Sequence, residues 1–146
     1  YQKLNVLVNS FRKELEALEV PFIAGGLGDY LGKSGFGISC VEHDLINQEL
    51  LKYAENNRNC YFVTGKKLYP NPDGIHINAE SQRRFGIRYF EAYQTKSNIV
   101  EPLDNEANIV KGLHEREHTV AEKRYLALER FTLGKSSMEE VMEFLK

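Results

Sequence analysis

Two short apolar segments, each followed by a loop rich in glycine or proline, most constrain the fold of this chain. Val20–Ala24 leads into a glycine-rich loop that extends to about Ser39. Cys60–Thr64, which is aromatic and β-branched, leads into a second loop over residues 65–76. Apolar residues recur at helical spacing between the two segments, from about Val41 to Asn56. This pattern predicts two buried strands joined by a helix.

Helical patterns also flank the two predicted strands. Before the first strand, apolar residues recur at three- and four-residue spacing: Leu4, Leu7, Val8, Phe11, Leu15 and Leu18. After the second strand, Asn78 is a candidate N-cap for a helix that extends through Tyr93. The side chains predicted to face inward are Phe85, Tyr89 and Phe90. Those predicted to face partly outward are Arg83, Arg84 and Arg88. The order helix, strand, helix, strand, helix predicts a parallel sheet covered by helices.

A parallel sheet of only two strands would leave exposed edges. The sequence begins at Tyr1 rather than Met, and the first helical pattern starts at once without a capping residue. We therefore expect further strands of the same sheet to lie upstream of Tyr1.

Composition excludes several classes of function. The 146 residues carry 19 basic and 21 acidic side chains, a net charge of -2, which argues against an electrostatic binder of nucleic acid. No apolar run approaches the roughly 20 residues of a membrane span, and no signal-peptide pattern opens the sequence. Two cysteines are too few for a disulfide framework, so we expect a reducing, cytoplasmic location.

The C-terminal third has a different character. Residues 94–104 are polar and are predicted to connect the α/β part to a charged helix from about Asn105 to Leu133, with Gly112 as its candidate break. Gly134 should end that helix, and Ser137 with Glu140 forms a capping box for a last helix. The large apolar residues that this C-terminal region offers for packing are Tyr125, Leu126, Leu128, Phe131, Leu133, Val141, Phe144 and Leu145. We predict a helical hairpin over residues 94–146 packed on the domain of residues 1–93, rather than a flexible appendage.

The segment from Pro72 to Gln82 carries the main candidate for chemistry. It follows a predicted strand and precedes a helix, at the sheet edge where α/β proteins bind ligands. Asp73 and His76 are three residues apart with Gly74 between them, a spacing that can bring the carboxylate to the imidazole. The carboxylate would then orient His76 as a general base. From the spacing alone, Asp73 could equally be a turn residue and His76 an ordinary surface or core residue.

Residues 73–83, Asp-Gly-Ile-His-Ile-Asn-Ala-Glu-Ser-Gln-Arg, with the Gly-Ile-Arg-Tyr that follows at 86–89, resemble the last characteristic block of the SGNH (GDSL-like) hydrolases. The nearest branch is the carbohydrate O-acetylesterases of the sialate-acetylesterase and acetylxylan-esterase kind. Residues 20–29 and the helix before them resemble the same branch, so that the likeness covers residues 1–93. The resemblance implies that Asp73 and His76 complete a catalytic triad.

The sequence departs from that family in one large respect. The family's nucleophilic serine, in a Gly-Asp-Ser or Gly-Gln-Ser turn, and its blocks of oxyanion donors are not found here. Ser34 is the only serine in a glycine-rich setting, but Phe36 stands where a Gly-x-Ser-x-Gly elbow needs glycine, and we interpret Ser34 as a loop residue. The resemblance thus implies the C-terminal half of an esterase, inactive alone because its base has no nucleophile.

Three other patterns suggest different chemistry. His114-Glu115-Arg116-Glu117-His118 matches the zinc-hydrolase motif His-Glu-x-x-His, although its highly charged surroundings favour a solvated helix face. The glycines of residues 26–32 are spaced one residue too far apart for a dinucleotide fingerprint. That loop could line the substrate crevice or serve the backbone conformation only. Cys40 and Cys60 are interpreted as packing residues.

We therefore predict an α/β fold that is the C-terminal part of a flavodoxin-like, three-layer, doubly wound parallel sheet, with a C-terminal helical extension. The predicted function is serine-esterase removal of acetyl groups from O-acetylated carbohydrate, with Asp73 and His76 supplied by this chain. The missing N-terminal half is the expected partner, and neither cofactor nor metal is required. The alternatives are a non-catalytic binding module using residues 94–146 and a zinc hydrolase using His114, Glu115 and His118.

Overall fold

The computed structural model describes residues 1–145, and these form a mixed α/β structure. Helix α1 spans Gln2–Glu14, strand β1 Phe22–Gly25, helix α2 His43–Asn56, strand β2 Cys60–Val63 and helix α3 Ala79–Thr95. A short 3-10 helix, Gly35–Ser39, lies between β1 and α2. Helices α4, α5 and α6 follow at Glu106–Glu115, Val120–Thr132 and Met138–Leu145. The chain divides into two compact units, Tyr1–Val110 and a helical unit that starts at Lys111.

The sheet consists of β1 and β2 in parallel, with Phe22 opposite Cys60 and Gly25 opposite Val63. The predicted strand pair is thereby confirmed, although β1 starts at Phe22, after Pro21, rather than at Val20. On the far side of β2 a single extended residue, Ile99, makes an isolated parallel bridge to Val63. Within residues 1–145, β1 has no strand partner other than β2.

Two hydrophobic clusters cover the two faces of the sheet. Side chains of successive strand residues point to opposite faces, and the clusters divide β2 accordingly. One cluster joins α1 and α2 to the sheet and consists of Val8, Tyr53, Ala54, Cys60 and Phe62. The other joins α3 and the Ile99 segment to the sheet and has Val63, Ala92 and Ile99 at its centre. Helices therefore pack on both faces, and the burial of Cys60 confirms its interpretation as a packing residue.

Helix α3 begins as predicted, and Phe85 and Tyr89 pack inward as expected, but two other side chains differ from the prediction. The side chain of Asn78 accepts a hydrogen bond from the backbone N–H of Ser81, at 2.8 Å, and so caps the helix. Ser81, Arg88 and Ala92 are buried along one helical stripe. The expectation that Arg88 lies partly outward and Phe90 inward is wrong, because this stripe turns Arg88 fully inward and leaves Phe90 exposed.

The charged region after residue 105 forms two helices, and the break between them lies later than predicted. Helix α4 continues through Gly112 to Glu115, so the predicted break at Gly112 is wrong. The chain breaks later because Thr119 and Glu122 form a capping box that starts α5. The side chain of Thr119 accepts from the N–H of Glu122, and the carboxylate of Glu122 accepts from the N–H of Thr119.

The end of the chain follows the predicted pattern. Gly134 adopts a positive φ of 67° just after α5, the conformation in which glycine ends helices. Ser137 and Glu140 form the predicted capping box at the start of α6. Val141 is buried, whereas Tyr125 and Leu133 are exposed. The side chains of Phe144 and Leu145, also predicted to pack, lie outside the described part of the chain. Among the helices of the described residues, none is long and apolar enough to cross a membrane.

Candidate active site

The loop between β2 and α3 brings Asp73 and His76 together. His76 Nδ1 lies 2.9 Å from Asp73 Oδ2. The other carboxylate oxygen, Oδ1, accepts hydrogen bonds from the backbone N–H groups of Ile75 and His76, each at 3.0 Å. This is an Asx turn, in which an aspartate side chain bonds to the backbone two and three residues later. The spacing thus has the local geometry expected of it, while the catalytic role of both residues stays a prediction.

The charge of Asp73 determines which nitrogen of the neutral imidazole carries the proton. The N–H of Ile75, followed by the His76 side chain, lowers the pKa of Asp73 from 3.8 to about 2. Asp73 is therefore ionised near neutral pH and can only accept hydrogen bonds. The proton between the two side chains belongs to His76 Nδ1, so that Nε2 of the neutral ring is free to accept a proton.

His76 stands at the mouth of an open cleft of about 500 Å³. Its side chain is 77% exposed, whereas that of Asp73 is 30% exposed behind it. The cleft lies where β1 and β2 end, the edge at which parallel sheets bind ligands. Apolar side chains form much of its lining: Leu27, Leu31, Ile46, Leu68, Ile77 and Phe85. Cys40 and His43 line it too, and the glycine-rich loop after β1 forms one wall.

Asn47 of α2 holds the glycine-rich loop in place. Its Oδ1 accepts from the backbone N–H of Leu27 at 2.7 Å, and its Nδ2 donates to the Leu27 carbonyl at 2.9 Å. The N–H of Gly26 also donates to the carbonyl of Val63 at 2.7 Å, which ties the loop to β2. Sequence reasoning missed Asn47, and the available signal was an amide within a helix predicted to pack on the sheet.

A buried ion pair anchors the start of the loop that carries Asp73 and His76, which we call the dyad. Arg88 of α3 makes two parallel hydrogen bonds to the Glu106 carboxylate, at 2.7 and 2.6 Å. Its Nη1 donates to the carbonyls of Thr64 and Lys66, both at 2.8 Å. These carbonyls come directly after β2, so the ion pair fixes the direction in which the loop leaves the sheet. Sequence reasoning missed this role of Arg88 as well.

The remaining candidates do not join the dyad. Ser34 lies in the loop just before the 3-10 helix, as predicted, and within residues 1–145 no hydroxyl group is hydrogen-bonded to His76 Nε2. The alternative of a zinc site on one helix face is wrong, because α4 ends at Glu115 and His118 lies between helices. The described residues contain no cluster of three or more potential metal ligands.

Two parallel strands covered by helices end at a cleft beside a carboxylate–imidazole pair, so the chain is a mixed α/β protein with a candidate active site at the sheet edge. A family model described as carbohydrate esterase, sialic acid-specific acetylesterase matches residues 1–95. The chain belongs to this family of carbohydrate esterases, which confirms the resemblance seen in the sequence. The matched region contains both strands and the dyad, and it ends where α3 ends. The search of curated proteins finds no match to this chain.

Proposed function

We propose that this chain supplies the general base and its orienting carboxylate to a serine esterase of the SGNH type, which removes acetyl groups from O-acetylated carbohydrate. The observation that carries the proposal is the Asp73–His76 hydrogen bond of 2.9 Å at the mouth of the cleft. It lies in the region that matches the carbohydrate esterase family, whose substrates are carbohydrate esters.

In the proposed reaction His76 Nε2 removes the proton from a serine hydroxyl, and the serine oxygen attacks the ester carbonyl. Asp73 stabilises the imidazolium that forms. His76 then returns the proton to the oxygen of the departing sugar, which leaves an acetyl-serine. A water molecule, deprotonated by the same imidazole, then attacks the acetyl carbonyl. The bond to the serine oxygen breaks, the imidazolium returns its proton to that oxygen, and acetate leaves.

The serine and the oxyanion donors of this mechanism come from an N-terminal half of the same domain. Two observations support that partner. Strand β1 pairs on one side only within residues 1–145. Helix α1 also leaves Leu7 and Phe11 at least half exposed, as expected of surfaces that neighbouring elements of a larger domain cover. Joined with that half, the helices on both faces of the sheet would belong to a flavodoxin-like three-layer fold.

The test is ester hydrolysis by the chain joined to its upstream coding sequence. We expect hydrolysis of p-nitrophenyl acetate that His76→Ala reduces by about 10³-fold or more, since the base is lost. His114→Ala is the matched control, because His114 is not among the residues that line the cleft, and it should leave the rate unchanged. A folded, extended protein that shows no hydrolysis contradicts the proposal and favours the binding module. Hydrolysis at an unchanged rate in His76→Ala also contradicts the proposal, because another group would then act as the base.

The sugar can be identified in the same assay. Acetate release would be compared between O-acetylated sialic acid and acetylated xylo-oligosaccharides, each at concentrations below KM, so that the rates report kcat/KM. Release from neither sugar, with p-nitrophenyl acetate still hydrolysed, would show an esterase of a different substrate class.

A further inference from the structure

The turn that carries the dyad is held by a distant segment of the chain, residues 28–40, which we call the bracing loop. The Tyr30 hydroxyl donates a hydrogen bond to the carbonyl oxygen of Ile75 at 2.9 Å. The backbone N–H of Phe36 donates to the carbonyl oxygen of Asp73 at 2.8 Å. Residues 73–76, which we call the dyad turn, therefore have two carbonyl groups fixed by hydrogen bonds from outside the turn.

Glycines let the bracing loop and the dyad turn touch backbone to backbone. A Cβ atom on Gly35 would lie 2.2 Å from the carbonyl oxygen of Asp73, and one on Gly37 would lie 2.1 Å from that of Gly74. A Cβ on Gly74 would in turn lie 2.4 Å from the carbonyl oxygen of Ser34. Gly35 and Gly74 also have positive φ angles, 55° and 77°, which side chains disfavour. No larger residue fits at this contact.

The dyad needs such support because its own hydrogen bond is exposed to solvent. A polar contact exposed to water contributes little to holding a fixed geometry, and the His76 side chain is mostly exposed. Burial, followed by the negative charge of Asp73, raises the pKa of Tyr30 above its usual value. The hydroxyl therefore keeps its proton and acts as the donor to the Ile75 carbonyl.

We propose that Tyr30 and the glycines Gly35 and Gly37 position the Asp73–His76 dyad, with Tyr30 acting through the Ile75 carbonyl. Ile75 also donates its N–H to Asp73 Oδ1, so the same residue links the tyrosine to the carboxylate. Tyr30 is a positioning residue rather than a catalytic residue. The consequence for catalysis rests on the proposed function, whereas the geometry can be tested without it.

The first test uses this chain alone and measures which nitrogen of His76 carries the proton. In ¹⁵N NMR spectra, at a pH where the imidazole is neutral, the ratio of Nδ1-protonated to Nε2-protonated ring reports the hydrogen bond to Asp73. We expect Tyr30→Phe to lower this ratio roughly two- to tenfold, the effect of one lost hydrogen bond. Tyr69→Phe is the matched control, because the exposed Tyr69 lies on the dyad loop and its hydroxyl makes no hydrogen bond within residues 1–145.

The second test is steric. Gly37→Ala should displace the turn and lower the same ratio, whereas Gly86→Ala should not, because a Cβ at Gly86 on α3 meets nothing within 4 Å. Tyr30→Phe keeps the aromatic ring, so it tests the proposal even where Gly37→Ala fails to fold. An unchanged ratio in folded Tyr30→Phe overturns the positioning role of Tyr30, whatever the activity of the extended enzyme.

Activity separates this proposal from the proposed function. In the extended enzyme, Tyr30→Phe should lower kcat with little change in KM, because a misdirected base weakens transition-state stabilisation and leaves substrate binding intact. A changed tautomer ratio in a protein without esterase activity would support the bracing loop and contradict the esterase. A raised KM at unchanged kcat would show instead that Tyr30 contributes to substrate binding, which also overturns its positioning role.

Discussion

The two oxygens of the Asp73 carboxylate make hydrogen bonds with two different effects. Oδ1 accepts the backbone N–H groups of Ile75 and His76, which folds the turn, and Oδ2 accepts the imidazole Nδ1–H. The carboxylate that shapes the backbone through one oxygen therefore selects the tautomer of the ring through the other. A carboxylate suits this position because it offers two acceptor oxygens and no donor.

Asp73→Asn tests this double use at the scale of one residue. Asparagine has one acceptor oxygen, so an amide that keeps the Asx turn directs its NH₂ group at His76 Nδ1. The neutral ring then favours the proton on Nε2, and the base is lost. We expect a lower unfolding midpoint than in the parent chain at neutral pH, because the amide lacks the stabilisation of the ionised carboxylate. We also expect a reversed tautomer in ¹⁵N NMR and a kcat of the extended enzyme about 10³–10⁴-fold lower. An unchanged tautomer would show that Asp73 does not orient the ring.

The same carboxylate has a defined pH dependence. Its pKa of about 2 lies below the ordinary 3.8 because the folded turn stabilises the ionised form. A lowered carboxyl pKa contributes stability above the unfolded pKa, and this stability disappears as the pH falls toward the folded pKa. We expect a ¹³C titration of the Asp73 carboxyl group with a midpoint near 2, and between about pH 4 and pH 2 a steeper loss of stability than in Asp73→Asn. A midpoint near 3.8 would contradict the turn.

At the scale of elements, local signals predicted what local contacts decide. The Asn78 cap and the box of Ser137 and Glu140 are short-range patterns, and both are present. The box of Thr119 and Glu122 has the same spacing but lies within a long charged run, where Gly112 is the more obvious candidate for a break. Arg88 could not be predicted in this way, because its partner Glu106 lies 18 residues later and belongs to another helix.

The Arg88–Glu106 pair predicts a large effect on stability. Arg88→Met leaves Glu106, which is 4% exposed, without a partner, and breaking a buried pair in this way costs about 3–5 kcal/mol. We expect that loss in the free energy of unfolding measured in urea. Arg83→Met, at an exposed position on the same helix, should cost less than about 1 kcal/mol.

The double variant Arg88→Met, Glu106→Leu separates the burial of an unpaired charge from the loss of the other hydrogen bonds that Arg88 makes. An apolar pair of similar volume often replaces a buried ion pair without net cost, so most of the stability should return. If the double variant is as unstable as Arg88→Met, the bonds of Arg88 to the Thr64 and Lys66 carbonyls carry the stabilisation instead.

At the scale of the whole molecule, the sequence indicated the edge of the sheet at which the dyad lies but not what holds it. Loops that follow parallel strands meet at one edge, so Asp73 and the glycine-rich loop were expected to be neighbours. That Gly35 touches Asp73 through the backbone depends on contacts between residues nearly forty positions apart. No periodicity encodes such a contact, and only the glycines hint that backbones approach closely.

The open side of β1 gives a prediction about how this chain joins the N-terminal half proposed above. The N–H groups of Phe22 and Gly26 donate to carbonyls next to or within β2. Since alternate residues of a parallel strand bond to the same side, the N–H groups of Ile23 and Gly25 face away from β2. In hydrogen exchange we expect Ile23 and Gly25 to exchange fast in this chain alone and to become protected when the separately produced N-terminal half is added.

Phe22 and Gly26 are the internal controls, because their amides are bonded in either state and should change little. Binding should also raise the free energy of unfolding, by about 2.7 kcal/mol at a concentration of the half equal to 100 times its Kd. Stabilisation without new protection at Ile23 and Gly25 would mean that the partner binds through helix surfaces and not through the strand edge. Protection of those two amides in the chain alone would mean that β1 is already paired, and that the sheet grows elsewhere.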